Sequence, residues 1–355
     1  MIDKATSPRQ NTSALLMFYQ QGDWDMQNPH NVFSGPNALL DLHNPDNHPP
    51  LPLVELDKAL NPFRDAGVRI YAKLMYLLPL MNLKSLVALN MLIEAKASDK
   101  LEGVHTLVEG TSGNTGVAEV VLGRLMGIAQ TRVLVPWDIA IGKLDMLRLF
   151  GAIPELIQDL PGDTAITKAR AMGEQEGWLN LAQYENEANP AAHAKWTANQ
   201  IWHQLGPKLT VFCAGLGTTG TFVGSSRFLK EVSGDSVACV AAVCQLDQAV
   251  PGVRSLERLK EIAFNWRERC DTVVEVDTKA AFRNSLKMCR VGILAGPSSG
   301  FVHEALVRFI GEQRDSGKLD KLRNKDGEVV AAFVCGDTPF PYLDKYSTIL
   351  DPQDF

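Results

Sequence analysis

From residue 51 onward, short apolar runs alternate with longer segments whose apolar side chains recur every three or four positions. The short runs predict buried strands, and the longer spacing predicts helices that bury one face. The predicted strands are Val68–Lys73, His105–Glu109, Arg132–Pro136, Glu155–Gln158, Trp178–Leu181, Thr210–Ala214, Val237–Val243, Thr272–Val276 and Val329–Val334. The clearest predicted helices are Leu86–Lys96, Lys143–Phe150, Thr164–Glu176 and Pro190–Leu205. This alternation predicts an α/β fold with mostly parallel sheets.

Residues 1–50 differ from the rest of the chain, because they are rich in Asn, Pro, His and Asp and have only short apolar patches. We expect a partly irregular extension that packs on the body or on a second subunit. The patch Leu15–Tyr19 is too short and wrongly flanked for a secretory signal. His30, His43 and His48 lie here, but their irregular spacing favours polar loop residues over metal ligands. No metal site is therefore predicted.

The overall composition is that of an ordinary globular protein, with 355 residues, 45% of them hydrophobic and 21% charged. This length allows two domains. The net charge of −6 disfavours general nucleic-acid binding. No apolar run reaches the roughly 18 residues of a membrane span, so none is expected. The six cysteines have no C-x-x-C spacing and several lie in apolar runs, which predicts reduced thiols in a cytoplasmic protein.

A glycine-rich loop follows the predicted strand His105–Glu109. Residues 110–116 read Gly-Thr-Ser-Gly-Asn-Thr-Gly, and a helical apolar pattern begins directly behind them. Backbone N–H groups at a helix N-terminus suit a carboxylate or a phosphate, and Asn114 and the hydroxyls add further donors and acceptors. The alternative is a well-capped turn, because these residue types are common in loops.

A second glycine loop, residues 215–220, follows the strand Thr210–Ala214 and opens another apolar helix. It fits G-x-G-x-x-G, which is typical of dinucleotide-binding proteins when an acidic residue ends the next strand. Here that acid, Asp247, comes late. The threonines of the loop instead favour a phosphate monoester, so both interpretations stay open on the loop alone.

Two further residues carry candidate chemistry. Lys84 lies between apolar stretches at the start of a predicted helix, where desolvation lowers the pKa of a lysine and makes its amine nucleophilic. The alternative is that its ammonium reaches solvent. Ser298, in the turn Gly296-Pro297-Ser298-Ser299-Gly300, either caps the following helix or presents its hydroxyl to a ring nitrogen.

The order and content of these motifs resemble the cysteine synthase and cystathionine β-synthase group of fold-type II pyridoxal-phosphate enzymes. The resemblance covers roughly residues 50–345 and is strongest at residues 111–116, 217–221 and 292–300. It implies two open, twisted, mostly parallel sheets flanked by helices, as in the tryptophan synthase β subunit, with the cofactor between two domains. The implied division is 1–50 for the extension, 51–86 plus 197–355 for a large cofactor-binding domain, and 87–196 for a smaller substrate-loop domain.

The resemblance also implies a role for each motif. Lys84 would hold pyridoxal 5′-phosphate covalently and later act as general base. Asn114 would bond the 3′-oxygen of the ring, and Ser298 its nitrogen. The implied phosphate-binding residues are Gly217, Thr218, Thr219, Gly220 and Thr221. Those implied for the substrate α-carboxylate are Thr111, Ser112, Thr115 and Gln183.

The implied activity is β-replacement on an activated serine, through an aminoacrylate. Because a serine does not keep the ring nitrogen protonated, the weaker electron sink suits elimination of a β-substituent. Arg254 would bind the phosphate of O-phosphoserine, since guanidinium groups bind phosphate oxygens in pairs; the alternatives are a helix-surface ion pair and O-acetylserine as substrate.

Three other functions stay open: β-elimination from serine or threonine, a catalytically idle binding partner, and a nicotinamide enzyme. The idle alternative arises because Asn82 and Ser85 depart from the family pattern around Lys84. Thr219 also stands where glycine is usual. The resemblance implies a homodimer that takes a small amino acid and a small nucleophile.

Overall fold

The computed structural model of the chain describes residues 28, 30–111, 113–158, 160 and 164–355. Ser112 and the patch Leu15–Tyr19 lie outside the described residues, so the expectations for them stay predictions. The strands, in chain order, are β1 (Leu53–Glu55), β2 (Val68–Leu74), β3 (Thr106–Gly110), β4 (Gln130–Pro136), β5 (Ile153–Ile157), β6 (Trp178–Leu179), β7 (Val211–Gly215), β8 (Ala238–Cys244), β9 (Thr272–Val276) and β10 (Val329–Cys335).

Helices connect most of these strands. They are α1 (Ala38–His43), α2 (Lys84–Ala97), α3 (Asn114–Leu125), α4 (Ile141–Phe150), α5 (Ala165–Gly173), α6 (Ala188–Ala192), α7 (Asn199–Leu205), α8 (Gly220–Ser233), α9 (Thr278–Arg290), α10 (Pro297–Asp315) and α11 (Leu343–Ile349). A π-helical segment, His193–Ala198, joins α6 to α7. In the part of the chain that is described, no helix combines the length and apolarity needed to cross a membrane.

The strands form two sheets within the described residues. The larger has the order β1-β2-β10-β7-β8-β9, and the smaller has the order β5-β4-β3-β6. All pairs are parallel except β1 with β2. The prediction of two mostly parallel sheets flanked by helices is confirmed. The domain boundaries drawn from the sequence stay predictions.

The larger sheet is buried on both faces, which is why its strands read as continuous apolar runs. Successive residues of a strand point to opposite faces, and each face of this sheet packs in its own core cluster. Phe212 of β7 packs in one cluster, with Trp196 and Phe222. Phe333 packs in the other cluster, with Phe301. The six cysteines are free, as the sequence predicts.

The described end of the N-terminal extension packs on the body of the protein. The Asp46 carboxylate accepts hydrogen bonds from Lys195 Nζ at 2.7 Å and from Trp196 Nε1 at 2.8 Å. Nearby, the Leu51 amide donates to Gln200 Oε1 at 3.0 Å. The first of the two expectations for this segment, packing on the body, therefore holds for its described end.

Candidate active site

A cavity of about 890 Å³ opens where loops from the two sheets meet. The smaller sheet contributes the loop that follows β3, and the larger sheet contributes the loop that follows β7 and the segment that follows β8. The start of α2, the segment that follows β4 and C-terminal residues between Tyr342 and Ile349 also contribute to the lining. The two glycine loops that the sequence singles out therefore face one common space.

Lys84 lies at the first residue of α2 and lines this cavity. Its backbone N–H donates to Asn82 Oδ1 at 3.0 Å, so the unusual Asn82 fixes the start of the helix. Its ammonium donates to Thr218 Oγ1 at 3.3 Å. Burial, with a smaller contribution from the charge of Lys143, lowers the pKa of Lys84 to about 8. Its amine is therefore easier to deprotonate than that of an exposed lysine.

The loop that follows β7 approaches its neighbours too closely for side chains at two positions. A Cβ at Gly217 would lie 2.2 Å from the Gly252 carbonyl oxygen, and one at Gly220 would lie 2.0 Å from Asn189 Oδ1. Thr219, between them, has a left-handed φ of 68°. This conformation explains why glycine is common at such a position and why a threonine there carries strain. The loop ends at the N-terminus of the 14-residue helix α8.

The hydroxyls of this loop lie around the N-terminus of α8, and of its threonines Thr218 lines the cavity. The Thr219 hydroxyl is buried and has no hydrogen-bond partner among the described residues. Thr218 Oγ1 accepts from Asn189 Nδ2 at 3.0 Å. A partnerless buried hydroxyl at a helix N-terminus is what a bound anion would satisfy.

The hydroxyl of Thr221 forms a hydrogen bond with a buried histidine. The Thr221 hydroxyl lies 3.1 Å from His193 Nε2, and His193 Nδ1 lies 3.0 Å from Thr197 Oγ1. Burial lowers the pKa of His193 well below its usual value, so the imidazole is neutral. The π-helical segment supplies both His193 and Thr197, and such segments are frequent at functional sites.

The loop that follows β3 is held by Gln183. Thr115 Oγ1 donates to Gln183 Oε1 at 2.7 Å, and Gln183 Nε2 donates to the Gly110 carbonyl at 3.3 Å. The Gly113 amide donates to Thr111 Oγ1 at 3.3 Å. Thr111, Thr115 and Gln183 all line the cavity, so the structure brings these predicted substrate residues together.

Asn114 bridges the two sheets. Its Nδ2 donates to Asp337 Oδ2 at 2.8 Å, and Asp337 lies two residues after the carboxyl end of β10. The same oxygen accepts from the Tyr342 hydroxyl at 2.5 Å. Asp337 Oδ1 is buried without a partner among the described residues.

Arg254 reaches the cavity from the segment that follows β8. Its guanidinium lies 5.1 Å from the centre of the Tyr184 ring and 4.0 Å from Glu261 Oε2. The long distance to Glu261 leaves donors for another group. Ser298 lies in the first turn of α10, with its Oγ 3.7 Å from where a Cβ at Gly336 would be, and it is not part of the cavity lining described above.

Sequence reasoning missed Lys143, Asp337, Tyr342, Asn189 and His193. Asp337 carried a usable signal, because polar residues at the carboxyl ends of parallel strands gather at one edge of a sheet. Lys143 appeared in the sequence only as the start of a predicted helix. The other three come from distant parts of the chain, and nothing local to them marks the site.

Comparison with known proteins is consistent with this geometry. Residues 46–336 match the family model described as pyridoxal-phosphate dependent enzyme. Cysteine synthase B of Salmonella typhimurium is 32% identical over 288 residues, which cover 80% of this chain and 89% of that protein. Cysteine synthase B of Escherichia coli is 32% identical over 293 residues, with 81% and 94% covered.

Solved structures show the same fold at lower identity. A hydrogen sulfide-producing enzyme from Fusobacterium nucleatum superposes with a TM-score of 0.73 at 22% identity, covering 88% of this chain and 100% of its own. An O-acetylserine dependent cystathionine beta-synthase from Helicobacter pylori gives 0.69 at 24% identity, with 88% and 98% covered. At these identities the likeness establishes the fold alone.

Proposed function

Because the chain belongs to the pyridoxal-phosphate dependent enzymes, in the cysteine synthase and cystathionine β-synthase group, we propose that it replaces the β-substituent of an activated serine. The activated serine is O-acetylserine or O-phosphoserine, and the product is cysteine or a related β-substituted alanine. The observation that carries this proposal is the position of Lys84. Its amine, with a pKa lowered to about 8, lines the same cavity as both glycine loops.

The residues present fit the cofactor. The partnerless Thr219 hydroxyl and the N-terminus of α8 suit a phosphate group. Gly217, Thr218, Gly220 and Thr221 would complete that phosphate site. Asn114 Nδ2 gives one N–H to Asp337, and an amide nitrogen carries a second N–H that is available to the ring oxygen.

When bound, pyridoxal phosphate supplies an electron sink that acidifies the α-carbon of an amino acid. Lys84 Nζ would carry the cofactor covalently, remove the α-proton of the substrate and later return a proton. Its lowered pKa supports both tasks near neutral pH, because the amine then exchanges protons readily. Thr111, Ser112, Thr115 and Gln183 would bind the α-carboxylate and orient the α-proton towards Lys84.

Arg254 supports a phosphate ester as the leaving group. Its side chain is only 13% exposed, and its ion pair with Glu261 is long, at 4.0 Å. A buried guanidinium gains most from an acceptor that it can bind with two N–H groups, as a phosphate allows. Arg254→Ala should therefore impair O-phosphoserine use far more than O-acetylserine use; an equal effect on both would remove this role.

Covalent labelling and product analysis test the proposal together. Borohydride reduction of the purified holoenzyme, followed by proteolysis and mass spectrometry, should place the modification on Lys84. Lys84→Ala should abolish both the modification and turnover. Lys143→Gln is the matched control, because Lys143 is a buried lysine in the same cavity. This variant should keep the modification on Lys84. Modification of Lys143 in the unaltered protein would overturn the assignment.

Product analysis separates replacement from elimination. With an activated serine and sulfide we expect a cysteine product, and without a nucleophile only slow release of pyruvate. Rapid pyruvate release that sulfide does not divert would favour the β-elimination alternative. A homodimer and a cytoplasmic location are further proposals, which sedimentation and cell fractionation would test.

A further inference from the structure

Lys143 is a buried lysine that faces the cavity and has no role in the proposed chemistry. It lies on the first turns of α4, and only 4% of its surface is exposed. Its aliphatic stem runs along the loop that follows β3, where a Cβ at Gly113 would lie 3.1 Å from Lys143 Cδ. The absence of a side chain at Gly113 therefore leaves room for the lysine to line the cavity.

The ammonium of Lys143 has no anionic partner in the described part of the chain. No carboxylate oxygen there lies within 4.0 Å of its Nζ. The ammonium lies over the Tyr342 ring, with 4.7 Å between Nζ and the ring centre. Buried lysines are otherwise almost always paired, because an unpaired buried charge is costly. Among the described residues, the cavity therefore contains a cation that forms no ion pair and that lies against an aromatic ring.

Nearby charges do not compensate this cation. Asp337 is close enough to raise the pKa of Lys143, but burial outweighs it and lowers the pKa to about 8. One oxygen of Asp337 is already occupied by Asn114 and Tyr342. Lys143 in turn lowers the pKa of Lys84, so two ammonium groups repel each other across the cavity. An anion bound at Lys143 would relieve both the desolvation and the repulsion.

The other anionic groups of the reaction already have candidate partners. The α-carboxylate of the amino acid has Thr111, Thr115 and Gln183, and a phosphate leaving group has Arg254. Lys143 approaches from α4, on the side of the smaller sheet, whereas Arg254 approaches from the segment that follows β8. One reactant is left without a binding group, namely the nucleophile that adds to the β-carbon.

We propose that Lys143 forms a subsite for an anionic group carried by the incoming nucleophile, so that the enzyme prefers carboxylate-bearing thiols to neutral ones. This proposal rests on the β-replacement activity proposed above. A charge-assisted hydrogen bond from a buried ammonium to a carboxylate is worth enough to alter KM by roughly 10- to 100-fold. The contact would act on binding of the nucleophile and not on the α-proton transfer assigned to Lys84.

A matched pair of thiols tests the subsite in the holoenzyme. Mercaptoacetate carries a carboxylate where 2-mercaptoethanol carries a hydroxymethyl group. The KM for each thiol is measured at saturating O-acetylserine in the unaltered enzyme and in its variants. Lys143→Gln should raise the KM for mercaptoacetate roughly 10- to 100-fold more than that for 2-mercaptoethanol. Lys143→Arg should restore most of the preference, because it keeps the charge.

Lys345 provides the control for general cavity charge. It lines the same cavity but is more exposed than Lys143. Lys345→Gln should change the ratio of the two KM values by less than about twofold, because solvent screens its charge. An equal loss in Lys345→Gln and Lys143→Gln would show that overall charge, and not a subsite, sets the preference.

A binding measurement separates failure of the subsite from failure of the proposed function. The thioether (methylthio)acetate, CH3–S–CH2–COO−, carries the carboxylate but has no thiol that could add to the β-carbon. Ligand-detected NMR reports its binding to the holoenzyme without turnover. Binding that is lost in Lys143→Gln and kept in Lys143→Arg supports the subsite even if no thiol is ever incorporated. Binding unaffected by Lys143→Gln, or equal KM changes for both thiols, overturns it. A raised KM for O-acetylserine alone would instead assign Lys143 to the amino-acid substrate.

Discussion

Replacing the buried Glu119 by leucine should stabilise the protein. Glu119 lies on α3 at 0% exposure, and neither carboxyl oxygen has a hydrogen-bond partner among the described residues. Burial and the nearby Glu109 raise its pKa well above the ordinary value. Burial also raises the pKa of Glu109, which lies in β3 at 1% exposure. The chain therefore buries two interacting acids directly behind the substrate loop.

The magnitude follows from the missing hydrogen bonds. A buried polar group without a partner costs about 1–3 kcal/mol, which leucine would remove. Leucine is also about as good a helix former as glutamate. We therefore expect Glu119→Leu to raise the free energy of unfolding by about 1–3 kcal/mol near pH 7.

The gain should grow with pH. The pKa of Glu119 is higher in the folded than in the unfolded state, where it is about 4.3. Above that pH the folded state holds more protons at this residue than the unfolded state does. Its contribution to stability therefore falls as pH rises from the unfolded pKa towards the folded one. Glu119→Leu removes this loss, so its advantage should be smaller at pH 5 than at pH 8.

Urea unfolding of the holoenzyme between pH 5 and pH 8 measures the effect. Glu119→Gln is the matched control: it cannot ionise, but its amide remains unsatisfied. Glu119→Gln should remove the fall in the free energy of unfolding that Glu119 causes as pH rises. At pH 5 it should give little of the increase in the free energy of unfolding that leucine gives. A leucine variant that is less stable than the unaltered protein, or a gain that does not change with pH, would refute the reasoning. A gain that does not change with pH would mean that the pKa of Glu119 is the same in the folded and unfolded states. A less stable leucine variant would mean that the buried carboxyl group contributes net stability.

Three further changes test the site. Thr197→Val removes the partner of His193 Nδ1 and should weaken pyridoxal phosphate binding roughly 3- to 10-fold in a fluorescence titration; an equal loss for pyridoxal, which lacks the phosphate, would contradict a role at the phosphate. Asp337→Asn should reduce cofactor affinity roughly 5- to 10-fold by weakening the bond from Asn114, and unchanged affinity would remove that role. Gly110→Ala, whose Cβ would lie 2.5 Å from the Ala165 carbonyl oxygen, should cost about 1–3 kcal/mol in urea unfolding; a change below 0.5 kcal/mol would show that α5 moves aside freely.

Local patterns predict most of this fold, because each buried parallel strand is a short apolar run between glycine or polar turns. The predicted strand Thr272–Val276 coincides with β9, and Val329–Val334 differs from β10 by one residue. β1 was not predicted, because three residues at an edge leave no periodicity to read. Its antiparallel pairing with β2 is likewise a tertiary choice that no local pattern encodes.

The site was predictable only where its residues cluster in sequence. Loops 110–116 and 215–220 each combine a strand end, glycines and a helix start, and both line the cavity. Lys143 and His193 carry no such local signature, and the only local signal for Asp337 is its position just after β10. Their importance comes from burial and from partners far along the chain, as with Asn114 and Asp337, which lie 223 positions apart. A single sequence gives no measure of such distant pairs.

The hydrogen bond between Asn114 and Asp337 connects the parts of the site that the two sheets contribute. Asn114 begins α3, the helix that follows β3 of the smaller sheet, and Asp337 lies just after β10 of the larger sheet. The bond therefore ties the substrate loop to the sheet that carries the loop proposed to bind phosphate. Tyr342 donates to the same carboxylate oxygen, and Lys143 lies over the ring of Tyr342. An anion bound at Lys143 would thus act on the group that holds the two sheets together, and a ligand at the nucleophile subsite would also stabilise the arrangement that binds the amino acid.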